Sequence, residues 1–186
     1  MIKALCQWAL SSVSVICLTA CVTTPPQEVD ADDTSYPKLS LEGRPWQMRG
    51  KATVTLEADA QNLAFNWQHE NALTDTVRLS GPTGIGGITV ARRDSIVTWN
   101  DGKGPQPLET LSGNSTLGSI LTEVPLDEIA GSLIGQPAAS NSWSSEVVTW
   151  QVLGGFRVPR ILEWSLGEAK ARVVITSLEV WGGGST

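Results

Sequence analysis

The sequence predicts a mainly β protein of the α+β class, with a curved antiparallel sheet or open barrel and a short helical lid over its mouth. Five runs with alternating apolar and polar residues occupy residues 46–100, and three more occupy residues 147–180. Between these blocks, residues 115–135 carry apolar side chains at helical spacing. Two blocks of strands separated by two short helices are the basis of this prediction.

The first sheet block opens with the longest alternating run, Trp46–Glu57, in which every second residue is apolar or small. The run Leu63–Trp67 repeats the pattern. Polar segments at Ala58–Asn62 and Gln68–Asn71 are the expected turns on either side of it. We therefore expect two antiparallel strands that share one apolar face.

The next two strands form a predicted hairpin over Thr76–Val90, with a loop rich in glycine and proline. Pro82 favours an extended conformation at Gly81, and the later glycines permit backbone angles that other residues avoid. Ile85 is unusual, because a branched apolar side chain at this loop tip has no obvious core to enter. It either folds back under the sheet or projects toward an apolar partner, and the loop alone does not decide between the two.

A fifth strand around Val97 and Trp99 ends at Asn100–Gly104, whose Asn-Asp-Gly-Lys-Gly sequence is a strong turn signal. Five successive strands joined by turns predict an antiparallel meander.

Two short amphipathic helices are predicted after the meander. Apolar residues follow helical spacing from Leu117 to Val124, behind a possible cap at Ser115, and again from Leu126 to Ile134. Gly135 stands where a helix typically ends. The chain then returns to strands, expected at about Val147–Leu153, Arg160–Leu166 and Ala169–Val180, with the last two joined near Gly167.

The first 20 residues have the pattern of an export signal that ends in a lipoprotein cleavage site. Lys3 precedes a modestly apolar core, and Leu18-Thr19-Ala20-Cys21 fits the lipobox of an apolar residue, two small residues and cysteine. A transmembrane anchor is the alternative, but it needs roughly 20 mostly apolar residues, and this core is shorter. Cys21 is therefore the predicted lipidation site and the first residue of the mature chain, with acyl chains on its sulfur and usually on its amine.

Composition limits what the mature chain can be. Cys6 and Cys17 leave with the signal, so no disulfide or free thiolate is expected. The mature chain has 12 basic and 19 acidic residues, a net charge of −7, and no basic cluster, which argues against a nucleic acid partner. Residues 21–40 are expected to form the lipidated N-terminus and a flexible acidic tether, residues 41–182 one domain, and residues 183–186 a short tail.

Groups that could support catalysis are scarce. The single histidine, His69, lies in the predicted polar turn Gln68–Asn71, where a solvated loop histidine is expected. No His, Asp and Glu residues have the spacing of metal ligands, and the hairpin loop lacks the Gly-Lys-Ser/Thr end of a phosphate-binding loop. The sequence therefore predicts neither an enzyme nor a metal or cofactor site.

Seven tryptophans belong to the mature chain. Their default role is packing in the core, because each ring removes a large area from water. Several of them fall in strands that the helices can cover only at one end, so a concave apolar cavity is the alternative.

From about Trp46 to Trp181 the chain resembles the LolB family of outer-membrane lipoproteins. The resemblance rests on the order and spacing of short motifs: Trp46 with Arg49-Gly50; Phe65-Asn66-Trp67; Arg78-Leu79-Ser80-Gly81-Pro82-Thr83-Gly84; Val124-Pro125-Leu126 through Ile134-Gly135-Gln136-Pro137; Trp150 with Gly154-Gly155-Phe156; Val158-Pro159-Arg160; and Arg172-Val173-Val174-Ile175 to Trp181. Members of this family receive other lipoproteins from the periplasmic carrier LolA, and their fold is an incomplete antiparallel β-barrel with a helical lid.

The resemblance implies a non-enzymatic, chaperone-like role at the outer membrane, with the domain facing the periplasm and the Cys21 anchor in outer-membrane lipid. The concave side of the barrel is then expected to take the acyl chains of a lipoprotein cargo delivered by a LolA-like carrier. The residues expected to line this cavity are Trp46, Phe65, Trp67, Leu79, Trp99, Leu121, Ile129, Leu133 and Trp150.

The resemblance also implies that the loop after Ser-Gly-Pro touches the membrane, through Pro82, Thr83, Gly84 and Ile85. The family typically has a leucine where this chain has Thr83, and Ile85 is the candidate replacement. Val22 is not the aspartate that resembles an inner-membrane retention signal in enteric bacteria. The alternative function is a lipid-anchored periplasmic scaffold or sensor of similar fold, which binds a protein partner through the sheet edge or the lid.

Overall fold

The computed structural model describes residues 26–57, 59–82, 87–111, 116–138 and 142–181. Ten strands form one sheet in this part of the chain. The strands are β1 (Gln27–Val29), β2 (Trp46–Leu56), β3 (Asp59–Asn71), β4 (Thr74–Ser80), β5 (Ile88–Arg93), β6 (Ile96–Asn100), β7 (Gln106–Pro107), β8 (Trp143–Leu153), β9 (Phe156–Leu166) and β10 (Ala169–Val180). The helices are a 3-10 helix (Leu108–Leu111), α1 (Thr116–Glu123) and α2 (Leu126–Leu133).

The sheet order is β1-β8-β9-β10-β2-β3-β4-β5-β6-β7, and every neighbouring pair runs antiparallel. Among the described residues the two outer strands do not pair with each other, so the sheet stays open. The predicted class is confirmed: a mainly β chain with an open antiparallel sheet and two helices between two blocks of strands.

Strand β3 is longer, and the turns on either side of it are shorter, than the sequence predicts. Leu56 pairs with Asp59, so most of the predicted turn Ala58–Asn62 belongs to β3. The predicted turn Gln68–Asn71 is the other end of the same strand. The reason is that one face of β3 is solvated, and polar residues on a solvated face do not end a strand.

The two ends of the sheet differ in their connections. At one end, here called the loop end, residues 81–87 join β4 to β5. At the opposite end, here called the turn end, Ala72–Leu73 joins β3 to β4 and Asp94–Ser95 joins β5 to β6. The β8–β9 hairpin also lies at the turn end. Strands β9 and β10 run antiparallel, so β9 begins at the end of the sheet where β10 finishes, and there Val180 of β10 pairs with Trp46.

The helices pack on the inner face of the sheet and complete the core. In α2 the residues that face the core are Leu126, Ile129, Ala130 and Leu133. The helix ends as predicted at Gly135, whose positive φ of 84° suits glycine and whose N–H bonds the Ser132 carbonyl. No described helix is long and apolar enough to cross a bilayer.

The N-terminal segment does not behave as the predicted flexible tether over residues 27–39. β1 pairs with β8, from Gln27 opposite Val152 to Val29 opposite Trp150. Further on, Leu39 is buried in the core. Between them the buried Arg157 guanidinium donates hydrogen bonds to two backbone carbonyls, those of Ala31 and Asp33. Composition predicts a solvated segment, but these contacts to a distant arginine hold it on the sheet edge.

Candidate functional site

An apolar cavity lies between the sheet and the two α-helices. Its walls contain no charged residue; they are formed by Ala52, Val54, Leu63, Phe65, Trp67, Val77, Leu79, Ile120, Leu121, Ile129, Leu133, Trp164, Ala171 and Val173. The cavity volume that the centre of a water molecule can reach is about 60 Å³. All the space between atoms, including open solvent at the mouth, amounts to about 580 Å³.

The two volumes are measures of the same space, and the larger one includes open solvent at the mouth. At ~10–15 Å³ per water centre, the enclosed part of about 60 Å³ holds only a few waters. A volume of about 60 Å³ is well below the roughly 300–1,000 Å³ typical of ligand sites. A long apolar ligand therefore fits only if the helices move away from the sheet.

The cavity occupies the loop-end half of the molecule. Strand register places Val54, Leu63 and Ala171 toward that end, while Trp67 and Val77 mark the limit on the other side. Beyond Trp67 the inner face carries no further cavity-lining residue on these strands.

A buried polar cluster lies in the turn-end half. The Asp75 side chain is 1% exposed and accepts a hydrogen bond from Trp67 Nε1 at 2.9 Å. Its second oxygen accepts from Nε and Nη2 of Arg92, which also donates to the Ala72 carbonyl. His69 Nδ1 lies 2.8 Å from the first Asp75 oxygen.

His69 is not the solvated loop residue that the sequence predicts. It is 1% exposed, because β3 continues through it and the alternation of that strand turns it inward. Its ring stacks on Trp46 with centroids 5.0 Å apart, and its Nε2 lies 2.8 Å from the Leu41 carbonyl oxygen. Both ring nitrogens therefore face acceptors, an arrangement that suits the imidazolium form.

The pKa values of the pair follow from these contacts. Burial lowers the pKa of His69, but the Asp75 carboxylate and the Leu41 carbonyl outweigh it, and the net pKa is raised. Burial raises the pKa of Asp75, but hydrogen bonds from His69, Trp67 and Arg92 outweigh it, and the net pKa is lowered.

Six of the nine residues predicted to line a cavity do line this one. They are Phe65, Trp67, Leu79, Leu121, Ile129 and Leu133. They alternate along β3 and β4 or recur at helical spacing, so a simple periodic pattern places them on the inner face.

Three predicted lining residues lie elsewhere. Trp46 is fully buried against His69. Trp99 is half-buried and donates from Nε1 to the Thr110 hydroxyl, which holds the 3-10 helix. Trp150 packs against Gly135, where a Cβ would come within 2.3 Å of its ring, and carries the Arg157 guanidinium 5.0 Å from its centroid.

Trp164 is the largest lining residue that the sequence analysis missed. It shares the inner face of β9 with the fully buried Leu162, and this alternation was the signal that could have identified it. It stands edge-on to Trp143, with ring centroids 6.1 Å apart. The Trp143 indole donates at 2.6 Å to Glu128, and this bond ties the start of α2 to β8.

Two predicted sites fall outside the part of the chain that the structure describes. These are the lipidation site Cys21 and the loop residues Thr83, Gly84 and Ile85. Pro82 is described and is exposed at the end of β4. On the other side of the loop, Gly87 has a φ of 133°, and a Cβ there would come within 2.2 Å of the Leu79 carbonyl oxygen.

Within the described ranges, no three His, Cys, Asp or Glu residues come together in a group that could hold a metal ion. The one histidine has both nitrogens engaged in the polar cluster. The aliphatic and aromatic walls of the cavity suit an apolar ligand.

The sequence of this chain matches a family of known proteins. Residues 44–166 match the family described as "Outer membrane lipoprotein LolB". The outer-membrane lipoprotein LolB of Halorhodospira halophila (strain DSM 244 / SL1) is 22% identical over an alignment of 184 positions, covering 88% of this chain and 90% of that protein. Among solved structures, a LolA superfamily protein from Nitrosomonas europaea aligns with 78% of this chain and 89% of its own, with 5% identity and a TM-score of 0.48.

Proposed function

The chain belongs to the LolB family, and we propose that it accepts lipoproteins from a LolA-like periplasmic carrier, binds their acyl chains in the apolar cavity and inserts them into the outer membrane. The observation that carries this proposal is the cavity itself, whose walls consist only of aliphatic and aromatic side chains. Such a site binds hydrocarbon and offers no charge to a polar ligand.

The transfer needs no covalent chemistry. Each methylene that leaves water contributes about 0.8 kcal/mol, so a chain of methylenes moves toward whichever apolar environment holds it best. The cavity must hold the acyl chains better than the carrier does, and the bilayer must hold them better still. The protein therefore needs no catalytic residue for this role.

Cargo binding requires movement of the lid, because the enclosed space of about 60 Å³ is smaller than an acyl chain. Two contacts hold α2 in place: the hydrogen bond from Trp143 to Glu128 at its start and the packing of Gly135 on Trp150 after its end. We expect α1 and α2 to shift outward as the chains enter.

The remaining parts of the proposal concern the membrane. Cys21 carries the lipid anchor in the outer membrane, and the domain faces the periplasm. The loop containing Pro82, Thr83, Gly84 and Ile85 contacts the bilayer during delivery. The family match and the lipobox support this arrangement.

Filling the cavity tests the proposal. Ala52→Phe places a ring at a lining position, whereas Ala60→Phe on the adjacent strand adds the same ring at an exposed position. We expect Ala52→Phe to weaken acceptance of a fluorescent lipopeptide from the carrier at least tenfold, and Ala60→Phe to leave it unchanged. Equal acceptance by the two variants would exclude the cavity as the acyl-chain site.

The small enclosed volume is the one observation that favours the second candidate, a lipid-anchored scaffold or sensor with a solid core. A ligand stabilises the fold by RT ln(1 + [L]/Kd), about 2.7 kcal/mol at a hundredfold excess over Kd. A lipopeptide should therefore raise the Tm, and the same peptide without acyl chains should not. Equal Tm values at saturating lipopeptide would favour the scaffold.

A further inference from the structure

Three exposed apolar side chains lie at the turn end of the sheet. Leu73 is 54% exposed, Ile96 is 67% exposed and Trp181 is 41% exposed. One other large apolar residue of the described chain is similarly exposed, Val148, which lies within β8. Single exposed apolar residues are common, so their shared position is what calls for an explanation.

The connections of the sheet bring these residues to one rim. Leu73 lies in the β3–β4 turn, and Ile96 follows the β5–β6 turn. The two turns touch, since the Asp94 N–H donates to the Leu73 carbonyl at 2.8 Å. Trp181 follows the end of β10, where its N–H donates to the Pro45 carbonyl at 2.9 Å. At ~4.8 Å per strand, the row from β10 to β6 spans roughly 25 Å of rim.

The N-terminal chain leaves the domain at this same end. Gln27, the first residue of β1, pairs with Val152 next to the β8–β9 hairpin. Cys21 precedes Gln27 by six residues. Six residues span at most roughly 20 Å, so a lipid on Cys21 holds the turn end within that distance of the bilayer.

We propose that this rim, formed by Leu73, Ile96 and Trp181, rests on the lipid bilayer that carries the anchor. The proposal rests on the lipidation of Cys21 within the proposed function. Tryptophan and aliphatic side chains are stable at the level of the lipid headgroups. Three side chains bind weakly alone, but a short tether raises their effective concentration at the surface. In this docked orientation the cavity-bearing loop end points away from the bilayer, toward the carrier, and delivery through the loop at residues 82–85 requires the domain to turn over.

The test uses the full lipidated protein, reconstituted in vesicles of phosphatidylethanolamine and phosphatidylglycerol that contain a lipid with a nitroxide headgroup. A fluorescent dye attached through Ser95→Cys reports on the rim, and the same dye attached through Gln61→Cys reports on the loop end; both positions are exposed. We expect the nitroxide to quench the dye at position 95 several-fold more than the dye at position 61. Equal quenching, or stronger quenching at 61, would overturn the proposal.

A second comparison separates apolar contact from the effect of the tether. In the Ser95→Cys background, Leu73→Ser with Ile96→Ser should reduce the quenching, whereas Val148→Ser should not. Quenching that survives the double change would mean that the tether alone sets the orientation, and the proposal would fail. Protein that does not enter the vesicles would overturn the anchor and this proposal together, while the lipopeptide assay would still report on the cavity.

Discussion

The loop-end half of the molecule is walled by aliphatic and aromatic side chains, whereas the turn-end half encloses a carboxylate, an imidazole and a guanidinium. Dispersion contacts are not directional, so an apolar wall can retreat from a ligand and close again. Charged hydrogen bonds have fixed lengths and angles, so the polar cluster holds its strands in one register. The same strands thus combine a loop-end half that can adapt to a ligand, here the adaptable half, with a turn-end half of fixed geometry, here the fixed half.

Trp67 belongs to both halves. Its ring lines the cavity, and its Nε1 donates to Asp75 in the polar cluster. The position of this cavity wall is therefore set by a hydrogen bond in the fixed half. Three experiments test this difference between the two halves.

Removing the charge at the centre of the polar cluster should have the largest effect. Asp75→Asn leaves the buried Arg92 guanidinium without its counter-ion and removes the carboxylate that faces His69 Nδ1, and breaking a buried charge pair costs about 3–5 kcal/mol. Urea unfolding should show this loss. Asp101→Asn, which affects an exposed pair with Lys103, is the matched control and should change little. Equal losses in the two variants would show that the cluster does not stabilise the fixed half.

Truncating a valine to alanine should lower the free energy of unfolding more in the fixed half than beside the cavity. Val158 is fully buried at the turn end, and Val54 lines the cavity. We expect Val158→Ala to cost about 2 kcal/mol and Val54→Ala about 1 kcal/mol, because the second site already lacks part of its contacts. Thermal melts measure the difference. If Val54→Ala were the more costly, the cavity wall would be as tightly packed as the rest.

The smallest expected effect is a dependence of stability on pH. The raised pKa of His69 contributes stability that is complete below its unfolded value of about 6.5 and is lost as the pH rises through the folded pKa. The lowered pKa of Asp75 contributes stability that is present above about 3.8 and is lost as the pH falls through the folded pKa. The free energy of unfolding should therefore be highest between about pH 4 and 6.5.

Two variants check the origin of this profile. In urea unfolding across pH 4–9, His69→Gln should remove the decline on the alkaline side. Glu70→Gln, a change at the exposed neighbouring position, should preserve it. A decline that persists in His69→Gln would have to come from another group.

The adaptable half was the more predictable from sequence. Phe65, Trp67 and Leu79 follow the strict alternation of strands, and Ile129 and Leu133 follow helical spacing, so backbone geometry alone turns them inward. The fixed half was not predictable in this way. Its residues are polar, and polar residues near a strand end resemble a turn, so β3 was predicted to stop before His69.

The docking of the N-terminal segment was also beyond sequence patterns. The carbonyls of Ala31 and Asp33 carry no side-chain signal, and Arg157 lies 126 and 124 residues further along the chain. Three tryptophans were misplaced for a related reason. Size and hydrophobicity favour the interior for Trp46, Trp99 and Trp150, but neighbours that are distant in sequence decide whether the interior position borders a cavity.

The docking of residues 27–39 on the sheet edge determines how far the domain can move from the proposed anchor at Cys21. Three residues pair with β8, and residues 27–33 border a cleft with about 510 Å³ open to the centre of a water molecule. If Cys21 carries the proposed lipid and β1 is docked, the tether runs from Cys21 to Gln27 and reaches at most roughly 20 Å. If residues 27–39 detached from the sheet edge, the tether would extend over 18 residues from Cys21 to Leu39 and reach roughly 60 Å. Under the proposed lipidation, the carbonyl bonds of Arg157, its backbone bond to Pro37 and the Arg160–Glu28 ion pair would keep the domain held by its turn end, and their loss would let the loop end turn to the membrane.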